Sequence, residues 1–88
     1  MAVAKTRQVK PLDLARTRAA LAEFDRVGDE FDADFCPENS ERLDAARLRL
    51  ANAFAEDTAD RNDRAVVRDF VLCMRGLTFV RRLCASPI

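Results

Sequence analysis

Eighty-eight residues suffice for one domain and are too few for two. Hydrophobic residues make up 49% and charged residues 34%, with formal net charge zero, a balance that fits a folded domain rather than a disordered tail. The chain has no His, Tyr or Trp, so it lacks the usual general base near neutral pH and the commonest nitrogen ligand of transition metals. With only Gly28 and Gly76, no glycine-rich phosphate loop can be assembled.

Three cysteines, an odd count with no secretory apolar stretch before them, speak against a disulfide framework and for a reducing, cytoplasmic location. No apolar run approaches the roughly 20 residues of a membrane span. Thirteen Arg against two Lys, together with fifteen Ala, are the composition of a GC-rich bacterial or phage genome. Charge is unevenly placed along the chain. Residues 23–63 hold thirteen acids to five bases, a net −8, whereas residues 1–22 and 64–88 each hold five bases to one acid, a net +4.

Taken in chain order, residues 1–10 (MAVAKTRQVK) show no useful period and read as a flexible basic tail, with residues 11–88 as a single helical domain. Pro11 suits a first helical turn. From Leu14 an apolar stripe runs through Thr17, Leu21, Phe24, Gly28, Phe31 and Phe35 at spacings of three and four, predicting an amphipathic helix over about 11–27. Gly28 ends it, or the helix runs on to Phe31 or beyond. The turn formers of 32–40 (DADFCPENS) make the first connection. A second helix runs from Pro37 or Ser40 to Glu56, with Leu43, Ala46, Leu50, Ala53 and Phe54 on its apolar face.

Residues 57–60 make the second turn, with Thr58 or Asp60 as the cap of a third helix over roughly 60–84. On that helix Val66, Phe70, Cys73, Leu77, Val80 and Cys84 form a seam with coiled-coil spacing. Leu72, Gly76, Phe79 and Leu83 form a second apolar row, and Arg68, Arg75 and Arg82 recur every seven residues, about 10.5 Å apart along a helix axis. No strand pattern competes. The predicted fold is all-α: a small antiparallel three-helix bundle, or four short helices if Gly28 or Gly76 breaks a long one.

Functional candidates follow from the same rows. Glu30, Asp32, Asp34, Glu38 and Glu41 occupy the ligand positions of an EF-hand calcium loop, but Phe35 stands where that loop needs glycine and Pro37 sits in its later half. A solvated acidic edge is therefore the expectation, with neither metal nor cofactor. Cys73 and Cys84 read as small core hydrophobes, and Cys36 as the one candidate reactive thiol.

The arginine row beside the second apolar row is the sharper feature. A solvent-facing strip explains it, but so does a protein interface with an apolar centre and charged edge. The expectation is a non-enzymatic protein–protein interaction module, a small regulator, adaptor or phage- or plasmid-encoded inhibitor, with no small-molecule substrate. It would bind a protein partner or a second copy of itself through Arg68, Leu72, Arg75, Phe79, Arg82 and Leu83. The alternative is a nucleic-acid-binding regulator using Lys5, Arg7 and Lys10 with the arginine row. Against it, the third helix lacks the polar side chains that read base edges, Asn62 at its start excepted.

Overall fold

A computed structural model describes residues 12–85. The basic tail and Pro11 lie outside the described residues, as do residues 86–88. Within them the chain is all-helical and has four helices: α1 (Ala15–Ala33), α2 (Pro37–Asp57), α3 (Arg64–Val71) and α4 (Met74–Ala85). None of the described helices is long and apolar enough to cross a membrane.

Gly28 does not end α1. Its backbone stays out of the left-handed region and the helix runs through it to Ala33, so the first helix is shifted by several residues from the expected 11–27. The start of α1 is capped in an unusual way. Leu14 at the N-cap offers no side-chain acceptor, and Asp13 takes only the N–H of Ala15. The N–H and the hydroxyl of Thr17 instead donate to Asp57, at 2.9 and 2.7 Å, from the last turn of α2. Arg16 pairs with the same carboxylate at 3.2 Å, and the Asp57 side chain is only 3% exposed. A residue forty positions away thus supplies the acceptor that helix starts usually find locally.

Asp34 and Cys36 are extended, as a chain entering a proline must be, and Pro37 opens α2 at the position where its missing N–H costs nothing. Contacts between α1 and α2 then descend in antiparallel register. Thr17 meets Asp57, Glu23 meets Arg49, the Gly28 position faces Leu43, and Glu30 meets Arg42. The buried core is built from Leu14, Phe24 and Val27 on one side and Ala46, Leu50, Ala51, Phe54 and Ala55 on the other. The alanines of α2 let α1 and the later helices approach closely.

Thr58 caps the end of α2 rather than the start of the next helix, its hydroxyl donating to the Phe54 carbonyl at 2.8 Å. The cap expected at Thr58 or Asp60 is Asp63, whose carboxylate accepts from the N–H groups of Ala65 and Val66. The expected single helix over 60–84 is two helices, broken at Leu72–Cys73. The break lies at neither glycine, yet Gly76 makes it possible. A Cβ at Gly76 would be driven into the Phe70 carbonyl and within 2.8 Å of Val71 Cα, so only glycine lets the first turn of α4 lie against the end of α3.

The corner also redraws the seam. A continuous helix would put Val66, Phe70 and Cys73 with Leu77 and Val80; in the folded chain α3 buries Val67 and Val71, leaving Val66, Phe70 and Cys73 exposed. The seam survives only on α4, where Leu77 and Val80 are buried and Cys84 is partly covered. On the other face of α4, Arg81 bonds both carboxylate oxygens of Asp25 and lies 5.8 Å from the Phe24 ring centre, pinning α4 to α1.

Candidate functional site

Three phenylalanines from three helices meet at one face. Phe79 on α4 stands edge-to-face with Phe54 of α2 (ring centres 6.4 Å, planes at 73°) and with Phe70 of α3 (5.7 Å, 67°). Phe54 is buried, whereas Phe79 remains 46% exposed and Phe70 41%. With Leu12, Thr58, Val66, Val67 and Leu83, and the polar Arg61 and Asn62, they line a largely apolar groove of about 460 Å³. Its volume is that of a small recognition pocket. The hydroxyl of Thr58 is already committed to the backbone of α2, so the floor offers little hydrogen bonding. Hydrophobic contact is what this groove can supply.

Phe79 is a wall with two sides. Its other side borders a shallower depression of about 290 Å³, which it shares with Met74, Arg75, Thr78 and Arg82. Val66 in the groove lining is 67% exposed, and Met74 in the neighbouring depression is 72% exposed. Arg75 and Arg82 are exposed, and neither forms an ion pair among the described residues.

The six residues singled out from the sequence are therefore not all together. Arg75, Phe79 and Arg82 surround one depression, and Leu83 lines the groove on the opposite side of Phe79. Arg68 and Leu72 line neither hollow. Arg68 lies on α3, across the Leu72–Cys73 break, with its Nε 3.8 Å from Asp69, so the straight three-arginine row does not exist. Leu72 sits at the corner itself, about a third exposed. Sequence reasoning missed Leu12, Phe54, Val66 and Phe70 as groove residues. The signal for the last two was the Asn62–Asp63 turn: a helix capped at Asp63 and only two turns long presents Val66 and Phe70 outward.

A second exposed apolar feature lies at the far end of α2. Phe35, expected on the α1 stripe, has left the helix and is 75% exposed at the α1–α2 corner, its ring stacked on Phe31 at 4.9 Å. Asp32, Asp34 and Glu38 surround it in sequence; all three are exposed, and none forms an ion pair among the described residues. The corner is held by the Asn39 side chain, which donates to the Asp34 carbonyl at 3.0 Å.

The twelve-residue acidic window is not a loop. Residues 30–33 belong to α1, residues 37–41 belong to α2, and Glu30 is held by Arg26 and Arg42. Among the described residues no group of three or more Cys, Asp or Glu side chains is placed to hold a metal ion. A polar hollow of about 340 Å³ between the start of α1 and the end of α2 is lined by charges that pair with one another, Arg16 with Asp57 and Arg64 with Glu56. Those charges hold the fold together. Of the thiols, Cys73 is exposed at the corner and Cys36 and Cys84 are partly covered. Burial pushes the Cys84 thiol up from its ordinary value, with nearby Arg18 opposing and Asp57 adding to the shift.

Comparison with protein-family models, with curated proteins and with solved structures finds no match to this chain. The functional reading rests on the geometry alone.

Proposed function

We propose that this chain is a non-enzymatic protein-interaction module, a small regulator or adaptor, whose α3–α4 face docks an acidic, aromatic-bearing segment of a protein partner. The helices form a bundle of three antiparallel arms, the third of them broken at Leu72–Cys73. The observation that carries the reading is Phe79: a half-exposed aromatic ring, flanked on one side by an apolar groove and on the other by Arg75 and Arg82, which have no acid to pair with among the described residues. An aromatic anchor pocket with arginine at its rim is the composition that protein interfaces favour. The flanking arginines set the sign of the partner, because an uncompensated positive rim steers acidic segments in and basic ones away.

The test is titration with short synthetic peptides that carry one aromatic residue and increasing negative charge, followed by NMR. Shifts concentrated at Val66, Phe70, Phe79 and Leu83, growing with the peptide's acidity and reduced by Arg75→Glu/Arg82→Glu, are expected. Absence of shifts with every peptide overturns the reading. So does retardation of mixed-sequence DNA or RNA at low salt that the same double substitution abolishes, since counterion release would then mark a phosphate-binding surface.

A further inference from the structure

The groove has a candidate occupant within the same sequence. We propose that the α1–α2 corner of a second copy of this chain docks there, with Phe35 seated against Phe79 and Asp32, Asp34 and Glu38 facing Arg75 and Arg82. This rests on the docking reading above and names its partner.

Five observations lead to a second copy, and to this part of it. The corner presents what the groove lacks. Among the described residues Phe35 is the most exposed of the large hydrophobic side chains, braced on Phe31 and so already held outward rather than folded away. A pre-ordered aromatic anchor loses little freedom on docking. The charges are opposite in sign: Asp32, Asp34 and Glu38, beside Phe35 in sequence, and Arg75 and Arg82, which share a depression with Phe79, form no ion pairs among the described residues.

Contact within one chain is barred by distance. Phe35 precedes the first turn of α2 while Phe54 belongs to its last, and the helix from Pro37 to Phe54 alone spans about 26 Å. Like-with-like pairing is opposed by charge, because two grooves face to face would bring the Arg75 and Arg82 of both copies together. The chain's own residues 1–11 match the groove in sign rather than complement it, carrying Lys5, Arg7 and Lys10 and no acid.

The resulting contact is head-to-tail. Two copies that exchange corner and groove reciprocally close a two-fold dimer; where the two contacts go to different neighbours, association runs on into rings or open chains. The interface is small, so assembly is expected to be weak and concentration-dependent.

The experiment uses the full chain under reducing conditions, which keep Cys73 from cross-linking copies, and reads mass by sedimentation equilibrium. Two exposed sites are changed separately: Phe35→Glu disables the corner, and Arg75→Glu/Arg82→Glu disables the groove. Wild type is expected to grow in mass with concentration and to shrink toward monomer as salt rises. Each variant alone is expected to lose self-association by about thirtyfold or more, the loss an aromatic or arginine anchor carries. Mixed together, they are expected to form a one-to-one dimer that grows no further, since one intact corner meets one intact groove. A strictly monomeric wild type at its highest soluble concentration overturns the proposal, as does undiminished association of Phe35→Glu, or a mixture that stays monomeric. If acidic aromatic peptides still bind the groove in any of those cases, the self-docking idea falls while the docking reading stands. If they do not, both fall.

Discussion

Replacing Gly76 by alanine sets two physical effects against each other, and the structure decides which wins. Helix propensity favours the change, since Ala stabilises a helix interior by about 1 kcal/mol over Gly. Against it, the new methyl meets main-chain atoms at the end of α3, the Phe70 carbonyl and Val71 Cα, which no side-chain rotation can move. Relief requires α4 to back away from α3, and α4 carries Leu77 and Val80 into the core. Overpacking of this kind costs about 1–3 kcal/mol. Partial exposure of two core side chains, each worth about 1.5–3 kcal/mol when fully buried, adds about 2 kcal/mol more. After the propensity gain is subtracted, the net destabilisation is about 2–4 kcal/mol, which in a domain of this size lowers Tm by roughly 10–30 °C.

The assay is thermal and urea unfolding followed by circular dichroism under reducing conditions. Gly28→Ala serves as the comparison, because its Cβ would meet only Leu43 Cδ1, at an ordinary 3.8 Å. That variant should gain about 0.5–1 kcal/mol. A Gly76→Ala protein as stable as Gly28→Ala would refute the reasoning, and with it the close approach of α4 to the end of α3.

Three further outcomes follow from the contacts. Asp57→Ala removes the acceptor of the Thr17 N–H and hydroxyl and should cost about 2–3 kcal/mol, with Asp57→Asn costing less, both read from urea midpoints. Cys73 should react with iodoacetamide well before Cys84 at pH 8, because Cys73 is exposed while burial holds the Cys84 thiol above its ordinary value; mass mapping of a time course gives the order. The Arg26 hydrogen bond lowers Glu23 from its ordinary value of about 4.3, so the stability this pair contributes is present above that value and is lost as pH falls through the lowered one. Glu23→Gln should accordingly flatten the acid limb of a Tm–pH curve, and an unchanged limb would remove the pair from the account.

The first two helices were legible because their apolar stripes are long, although neither Pro11 nor Gly28 marks an end of α1. Of the two starts read for α2, Pro37 or Ser40, the structure takes Pro37, and Ala46, Leu50 and Phe54 were read correctly as its buried face. What periodicity could not reveal was the corner at Leu72–Cys73. The 66–84 pattern is compatible with a straight helix, and a bend there depends on the tertiary approach of two backbones that Gly76 permits. Because the site sits on that corner, the error propagated. Arg75, Phe79, Arg82 and Leu83 belong to the α4 side and remained grouped around one wall, whereas Arg68 was carried off on α3. Phe35 carried two signals, the spacing of the α1 stripe and a place among the turn formers of 32–40, and the structure follows the second: it lies in the connection between α1 and α2.

The bond between Thr17 and Asp57 has a bearing on the order of events during synthesis. The opening turn of α1 leaves the ribosome forty residues before the carboxylate that completes it. Until then its amides have only water and Asp13 to turn to, so α1 is made well before its leading end is secured. Once Asp57 arrives, the α1–α2 hairpin is fastened at its open end.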